Sequence, residues 1–401
     1  MVLKFDRFGA FAEYFSQMDS IALQRIGLPI VNSFTLLTPQ EEQTFKHKIL
    51  DPECFEVMRL PVVHGLSKGG SLSLYKKEIT LFRFDNAIFH PFSDVIRIND
   101  RAYWDKLSRP QLAKTIFQDK DIVRLDVESN KIFLKSYPVG TKIDVGFGLC
   151  GVHVTSWGHF IGNFLPKIVA LESIKDESNI KIIVPDTVDD HIRELVTRSL
   201  KLIGDFEVVY VKNNLLVECR KIYYCNAPSF IADHAAYITS ADTQITTYSV
   251  DAIRKFVDNI VRTIDPGTTR RLYIGRRGIR NLINAKEVED YFVAKGFTIV
   301  FPHLLSFDDK VELFSNASHV CGPGSSGFQN IVFCKPGTKI LTFTNYACGQ
   351  DAYSFAFGAR DFELSICILT GVGPKSGSPH DSYTISLDKI RDCLRDTKFL
   401  D

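Results

Sequence analysis

Apolar residues between positions 270 and 343 occur in short runs that are separated by stretches of helical periodicity. The runs are Leu272 to Ile274, Thr298 to Phe301 and Lys339 to Phe343. Strands that alternate with helices in this way are typical of a parallel sheet with helices on its faces. The pattern therefore predicts an α/β unit over residues 270–343.

A second alternation of the same kind lies upstream of the first. It predicts strands at 145–150, 181–184, 207–211 and 221–224, and helices at 188–203 and 251–264. The last helix is followed by Asp265-Pro266-Gly267, which ends helices and marks a candidate boundary between two units. We therefore expect a doubly wound domain before this boundary and a second one after it.

The flanking regions follow other patterns. Residues 72–97 alternate apolar and polar side chains, which predicts strands or a β-meander near a sheet edge. Residues 1–60 are predicted to form short helices on a larger body, and residues 387–394 a last helix. The length of 401 residues favours two domains. The predicted division is an N-terminal extension at 1–60, a first domain at 61–250, a second domain at 251–345 and a C-terminal segment at 346–401, for which a return to the first domain is one option.

The composition narrows the choice of partners and compartment. A formal net charge of +1 gives no global argument for a nucleic-acid partner or an anionic membrane. The nine cysteines contain no C-x-x-C pair and lie mostly in apolar runs, which favours a reduced, cytosolic set. The N-terminus is interrupted by Asp6, Arg7 and Glu13, and no later uncharged apolar run has spanning length. We expect a cytoplasmic protein without a nucleic-acid partner, and peripheral association with the inner face of the membrane is compatible with this pattern.

The glycine-rich turn Gly322 to Gly327 lies between an apolar strand and a segment that can start a helix. Glycines let the backbone approach a ligand, and the N–H groups at a helix start favour a phosphate or diphosphate. A Gly-Ser turn at a strand–helix junction also occurs with no ligand at all. Taken alone, the turn leaves both interpretations open.

Arginines bracket the strand that precedes this turn in the sheet, namely Arg270, Arg271, Arg276, Arg277 and Arg280. Arg276 directly follows the strand at its C-terminal end, where open α/β sheets bind ligands. Guanidinium groups bind phosphate through two hydrogen bonds and keep their charge, so they can stabilise a diphosphate leaving group without a metal. A solvated or ion-paired surface is the favoured interpretation for Arg270 and Arg271.

The order and spacing of these motifs resemble glycosyltransferase family 61, a capsular-polysaccharide type of enzyme. The matching features after the strand and its arginines are Asn284 before an acidic helix, Gly296-Phe297 before a strand, a Leu- and Phe-rich helix before Ala317, the turn closing on Asn330, and Phe333-x-x-Pro336-Gly337. Upstream, Trp157-Gly-His159-Phe160 before Leu165-Pro166 resembles the first-domain motif of the family.

The resemblance implies a GT-B-like fold, in which two facing Rossmann-like domains enclose a cleft, with the donor nucleotide in the C-terminal domain. It implies a hexosyl- or pentosyl-type transferase that inverts the anomeric carbon and acts on a cell-surface polysaccharide or glycolipid. It also implies a nucleotide sugar as donor substrate, no cofactor and no obligatory metal. A single displacement needs a base for the acceptor hydroxyl and a cradle for the departing diphosphate.

His159 is the predicted base, because it follows the strand of the first domain and an imidazole titrates near neutral pH. A histidine that only packs at the Trp157 turn is the alternative, and His153 is a second choice. These two histidines lack the spacing of two metal ligands on one helix face, so no metal site is predicted there. The D-x-D sequence Asp119-Lys120-Asp121 is interpreted as a solvated loop.

The other candidate site residues are divided between the two substrates. Those expected at the donor are Arg276, Arg277, His303, Gly324, Ser325, Ser326, Gly327, Gln329 and Asn330. Those expected at the acceptor are Trp157, Asn163 and Lys167. Asn330 is equally suited to fixing the turn, and His303 to packing its loop.

One position departs from the family pattern, since Gly324 stands where the turn of the family has a histidine. Either the imidazole is not required, or the donor differs, or activity is lost. The last case gives one alternative function, a non-catalytic scaffold derived from a glycosyltransferase. A nucleotide-sugar epimerase on a similar fold is another, whereas the missing strand-borne G-x-G-x-x-G argues against a dinucleotide-dependent oxidoreductase.

Overall fold

The computed structural model describes residues 31–52, 54–60, 62–65, 70–76, 78–105, 122–126, 128–151, 153–226, 249–264, 267–278, 281–345, 365–373 and 381–401. The strands before residue 150 are β1 (Val31–Leu36), β2 (Lys46–Asp51), β3 (Cys54–Leu60), β4 (Val62–Val63), β5 (Gly70–Lys76), β6 (Ile79–His90), β7 (Val95–Ile98), β8 (Arg101–Tyr103), β9 (Ile122–Asp126), β10 (Lys131–Lys135) and β11 (Val139–Gly148). The later strands are β12 (Ile180–Pro185), β13 (Glu207–Val211), β14 (Leu216–Cys225), β15 (Arg270–Ile274), β16 (Phe297–Val300), β17 (Ala317–Pro323), β18 (Lys339–Thr344) and β19 (Ser365–Thr370).

The described α-helices are α1 (Pro39–Gln43), α2 (Trp157–His159), α3 (Asp190–Lys201), α4 (Val250–Val261), α5 (Ala285–Val293), α6 (Phe307–Ser315) and α7 (Leu387–Asp396). The prediction of short helices for residues 1–60 is wrong over 31–60, where strands β1, β2 and β3 predominate and α1 has five residues. Helix α2 continues into a π-helix at Phe160–Phe164 and a 3₁₀ helix at Leu165–Ser173. Two more 3₁₀ helices lie at Pro302–Leu304 and Ser326–Phe333. Among the described residues, no helix is both long and apolar enough to cross a membrane.

The C-terminal sheet has the strand order β16-β15-β17-β18-β19-β4, and all its neighbouring strands are parallel. The strands predicted from the apolar runs at 272–274, 298–301 and 339–343 are confirmed as β15, β16 and β18. The strand order reverses between β15 and β17, because β16 lies on one side of β15 and all later strands lie on the other. In open parallel sheets, ligands bind beyond the carboxyl ends of the strands at such a reversal.

The N-terminal sheet combines a parallel part with an antiparallel extension. Strands β13, β12, β11 and β14 are adjacent in that order and mutually parallel. Strand β6 pairs antiparallel with β14, and the sheet continues through β7, β8, β1, β10 and β9. The predicted antiparallel strands are confirmed as β6 and β7, but β6 lies inside the sheet between β14 and β7, not near its edge. Strand β5 pairs with β3 in a separate two-stranded sheet. The chain therefore has a mixed α/β fold with two parallel sheet regions, as the alternation of apolar runs predicts.

A strand from the N-terminal part of the chain and a helix from its C-terminal part complete the C-terminal sheet. Strand β4 joins its edge through β19, although its residues lie far upstream in sequence. Helix α7 packs against the same sheet, since Ile390 and Cys393 belong to the apolar cluster that also holds Tyr273 and Phe343. The segment 365–401 thus completes the C-terminal sheet in its described parts.

The two sheets share their largest apolar cluster. It contains Phe147 of β11 and Leu272 of β15, together with Phe256 of α4 and Phe328 of the 3₁₀ helix after the glycine-rich turn. Helix α4 buries Ile253, Phe256 and Val257 completely or almost completely. Because one cluster extends from one sheet to the other, the segments that follow β11 and β17 are held close to each other.

Candidate functional site

The glycine-rich turn lies at the reversal of strand order in the C-terminal sheet. Arg276 follows the end of β15 and donates a hydrogen bond through Nη1 to the carbonyl oxygen of Gly324, at 2.5 Å. Gly322 has a φ of +137°, and a Cβ at this position would lie 2.4 Å from the carbonyl oxygen of Ile274. Only glycine fits this close approach of two strands. The sequence-predicted residues Arg276, Gly324 and Ser325 are therefore brought together at the carboxyl ends of β15 and β17.

Asn330 holds the turn from inside the protein. Its side chain is fully buried, and Nδ2 donates to the carbonyl oxygen of Gly327 at 2.7 Å. Ser325 is half-buried and precedes the 3₁₀ helix in an extended conformation without capping it, whereas Ser326 is exposed. The turn thus presents the Ser326 hydroxyl at the start of a helix to solvent, while an internal amide fixes its shape.

Arg277 and His303 lie beside this edge but differ from Arg276 in their contacts. Arg277 makes a two-bond ion pair with the buried carboxylate of Glu289, at 2.6 and 2.8 Å, and this hydrogen bonding raises the pKa of Arg277. His303 is exposed and packs edge-on against Phe301, with ring centroids 6.1 Å apart. The Arg277 guanidinium lies 5.2 Å from the same Phe301 ring. Glu289 therefore orients Arg277, and the sequence motifs did not identify this carboxylate.

The segment that carries His159 has an irregular helical geometry. Helix α2 contains only three residues before the π-helix begins, and π-helices are rare and frequent at functional sites. His159 is half-buried and stacks on the ring of His153, with centroids 4.8 Å apart and an interplanar angle of 28°. His153 itself has a left-handed backbone, with φ of +63°. The two histidines named from the sequence therefore form one pair at the start of this segment.

A hydrogen bond connects the His159 segment to the glycine-rich turn. The indole Nε1 of Trp157 donates to Oδ1 of Asn330 at 3.0 Å, although the two residues are 173 positions apart. The Gly158 backbone also packs against the Gln329 side chain, since a Cβ on Gly158 would lie 2.9 Å from Cγ of Gln329. The two motifs that the sequence places in different domains are thus in direct contact.

Lys310 packs against the face of the Trp157 ring. Its Nζ lies 4.7 Å from the ring centroid, and only 3% of the residue is exposed. Burial lowers the pKa of Lys310 from 10.5 to about 8, and the nearby Asp189 opposes this shift. Phe307 packs edge-on against the same ring at 6.4 Å. Helix α6 therefore contributes a buried cation to this junction, which no local sequence signal indicated.

The two residues expected beside Trp157 at the acceptor have different surroundings. Lys167 is 1% exposed, and its Nζ donates to the hydroxyl of Tyr224 at 2.9 Å and lies 3.8 Å from Oδ2 of Asp94. Asn163 is half-buried on the π-helix, and its Oδ1 has no hydrogen-bond partner in the described part of the chain. Lys167 therefore lies in the core of the N-terminal sheet, whereas Asn163 is nearer the surface.

The described residues contain no group of three or more His, Cys, Asp or Glu side chains that could hold a metal ion. The D-x-D sequence at 119–121 lies outside the described residues, as does Arg280.

Comparison with protein families agrees with the geometry. Residues 157–341 match the model of the family described as Glycosyltransferase 61. The match begins at Trp157 and extends past Asn330 into β18, so it includes both motifs that meet at the site. A comparison with curated proteins gave no match. The chain therefore contains a glycosyltransferase 61 domain, at residues 157–341.

Proposed function

We propose that this protein transfers a hexosyl or pentosyl group from a nucleotide sugar to a hydroxyl group of a cell-surface polysaccharide or glycolipid. The observation that carries the proposal is the contact between Trp157 and Asn330, which joins the His159 segment to the glycine-rich turn. Both segments belong to the glycosyltransferase 61 match. A transferase needs a base and a leaving-group cradle side by side, and these two segments offer an imidazole and an arginine with a glycine-rich turn.

In the proposed mechanism, His159 removes the proton of the acceptor hydroxyl as the oxygen attacks the anomeric carbon. The bond to the diphosphate breaks in the same step, which inverts the configuration of that carbon. Arg276 and the N–H groups after Ser325 stabilise the negative charge that develops on the diphosphate. Because a guanidinium stays charged and binds oxyanions directly, this chemistry does not require a metal ion.

The same proposal assigns a GT-B-like arrangement to the fold, with the donor on the C-terminal sheet and the acceptor on the N-terminal side. Support comes from the two parallel sheet regions and from the reversal of strand order at Arg276. Asn163 and the outward-facing edge of the His159 segment are then the acceptor side. The cysteines at 150, 219, 225, 321, 334, 367 and 393 are buried and form no disulfide bond with one another, which supports a reducing cytoplasmic location.

Thermal unfolding with a panel of nucleotide sugars, in the presence of a chelator, tests the donor part of this proposal. We expect one nucleotide sugar to raise the melting temperature, and the corresponding nucleoside diphosphate to do so as well. Sugar transfer to an acceptor mixture is then measured for the wild type and for His159→Ala. The variant should bind the donor as the wild type does and lose transfer by at least about 10²-fold.

His47→Ala is the matched control, because His47 is an exposed histidine on β2 of the N-terminal sheet. Transfer should be unchanged in this variant. Full-rate transfer by His159→Ala would remove His159 as the base, and the absence of any nucleotide binding would refute the transferase proposal. An isomerised sugar formed without acceptor would instead identify an epimerase.

A further inference from the structure

We infer that Asn330 and Trp157 are positioning residues that couple the shape of the glycine-rich turn to the His159 segment. The assignment of a catalytic role to this coupling rests on the proposed function. The physical coupling itself does not, because it follows from contacts of the described residues. It also gives Trp157 a different task from the acceptor contact that its sequence motif suggests.

Both polar atoms of the Asn330 side-chain amide make hydrogen bonds. Its Nδ2 donates to the carbonyl oxygen of Gly327, and its Oδ1 accepts from Nε1 of Trp157. The amide is planar and fully buried, so a shift of Gly327 moves the acceptor that holds Trp157. Buried polar groups are costly to leave without a partner, which keeps both bonds in place.

Trp157 transmits this constraint to His159 over a very short distance. Within α2, Trp157 and His159 are separated by Gly158 alone, and Gly158 lies against the Gln329 side chain. The ring of Trp157 is further held by Lys310 and Phe307. A displacement of the Trp157 ring therefore displaces the backbone that carries the imidazole.

The consequence for transfer is a selective loss. A small misplacement of a catalytic group can cost about 10²-fold in rate, even when binding is unaffected. Trp157→Phe keeps an aromatic ring between Lys310 and Phe307 but removes the indole N–H. We expect this variant to lower kcat for transfer by about 10- to 100-fold and to leave the dissociation constant of the donor within about twofold.

Asn330→Asp distinguishes the two hydrogen bonds of the amide, because it should keep one and remove the other. The carboxylate keeps an oxygen that can accept from Trp157, but it loses the N–H that holds the Gly327 carbonyl. The turn is then altered directly, so both donor affinity and kcat should fall. In Trp157→Phe, by contrast, only kcat should fall. If both residues had merely structural roles, the two variants would not differ in this way.

Trp104→Phe is the matched control, since Trp104 is the second of the two tryptophans in the chain. It is almost fully buried in a separate apolar cluster, and its Nε1 has no hydrogen-bond partner among the described residues. This variant loses an indole N–H from a core without loss of a hydrogen bond. Its kcat and donor affinity should equal those of the wild type.

Amide hydrogen exchange on the full chain tests the coupling without any substrate. In Trp157→Phe, amides at 326–333 should exchange faster, although the substitution lies in the other segment. In Asn330→Asp, amides at 157–164 should exchange faster. Trp104→Phe should change neither segment.

The two measurements distinguish failure of the inference from failure of the proposed function. Reciprocal changes in exchange, with no transfer by the wild type, would support the coupling and refute the transferase. Exchange that accelerates only in the substituted segment would overturn the coupling. A kcat in Trp157→Phe equal to that of the wild type would overturn the positioning role of Trp157 in transfer.

Discussion

The guanidinium group of Arg276 donates a hydrogen bond to the carbonyl oxygen of Gly324 across the reversal of strand order in the C-terminal sheet, at 2.5 Å. Gly324 is the position at which the sequence departs from the family pattern that it resembles. A guanidinium carries five N–H donors, so Arg276 is able to hold the turn and bind an oxyanion at the same time. The Arg276 guanidinium therefore lies directly beside this position.

Replacement of this guanidinium should weaken nucleotide binding. Hydrogen bonds to charged groups contribute about 1.5–3 kcal/mol, so Arg276→Ala should raise the dissociation constant of the matching nucleoside diphosphate by about 10- to 100-fold. Arg276→Lys keeps the charge but not the fork geometry, and its affinity should lie between those of Arg276→Ala and the wild type. Calorimetric titration measures all three.

Arg270→Ala provides the comparison on the same strand. Arg270 lies at the opposite end of β15, where its exposed side chain is paired with Glu312 at 3.4 Å. Its removal should leave nucleotide affinity unchanged. Equal weakening in both variants would indicate a general charge effect instead of a site at the reversal of strand order.

The backbone at Gly322 makes a second prediction, which concerns stability. The residue combines a left-handed φ of +137° with a Cβ position only 2.4 Å from a backbone oxygen of Ile274. Because the Ile274 oxygen belongs to the backbone, it cannot move aside as a flexible side chain would. Gly322→Ala therefore requires β15 and β17 to separate. We expect a loss of at least about 3 kcal/mol in the free energy of unfolding, measured by urea denaturation.

Gly337→Ala isolates the conformational part of this cost. Gly337 also has a left-handed φ, +84°, but a Cβ there would have no atom within 4 Å. The expected loss is about 1–2 kcal/mol, from backbone strain alone. Similar losses in the two variants would mean that the close approach to Ile274 does not restrict the turn.

The regular part of this fold is predictable from the sequence because apolar periodicity is a local signal. The parallel strands β12, β13, β15 and β18 lie where apolar runs place them, with small shifts at their ends. The participation of β4 in the C-terminal sheet is not predictable in this way, since a two-residue strand carries no periodicity. Its place depends on tertiary pairing with β19.

The site shows the same division between local and tertiary information. Arg276 and the glycine-rich turn were expected together because each is adjacent to the end of a parallel strand. Glu289 and Lys310 lie on helices α5 and α6 and were not singled out from the sequence, yet both are buried. Lys167 shows the opposite case, because a motif suggested an acceptor contact and the fold places the residue in the core.

The buried Lys167 makes a third prediction. Its ammonium group lies 3.8 Å from the Asp94 carboxylate, which also accepts from Tyr224 at 2.8 Å. Lys167→Met removes one charge of a buried pair, so the unfolding free energy should fall by about 3–5 kcal/mol. In the double variant Lys167→Met/Asp94→Asn the remaining charge is neutralised, and part of this loss should be recovered. Urea denaturation measures both variants.

Lys181→Met is the control for Lys167, because Lys181 of β12 makes an exposed ion pair with Glu207. Its removal should cost less than about 1 kcal/mol. If Lys167→Met were as stable as the wild type but deficient in acceptor binding, the acceptor role suggested by its motif would be correct and the core role wrong.

The depressed pKa of Lys310 makes a pH-dependent prediction about the junction between the two segments. Burial lowers this pKa from 10.5 to about 8, which corresponds to a cost of at most about 3 kcal/mol for the charged form. The cation–π interaction with the Trp157 ring offsets about 0.5–2 kcal/mol of this cost. Between pH 8 and 10.5 the unfolded chain binds more protons at this lysine than the folded chain does, so the unfolding free energy rises with pH in this window. Below pH 8 this lysine is charged in both the folded and the unfolded chain, so the full cost of burying its charge lowers the unfolding free energy.

Lys310→Met removes the charged form at all pH values. The variant should be more stable than the wild type at pH 7 by about 1–3 kcal/mol, and this difference should decrease as the pH rises from 8 to 10.5. Urea denaturation at intervals across this range measures the difference. His191, which packs edge-on against Trp157, has its pKa lowered from 6.5 by burial and therefore titrates below the window. Lys335→Met, at an exposed lysine, should show a difference from the wild type that does not change with pH. A constant difference for Lys310→Met as well would mean that the ammonium group over Trp157 is solvated, and that the junction does not hold a buried charge.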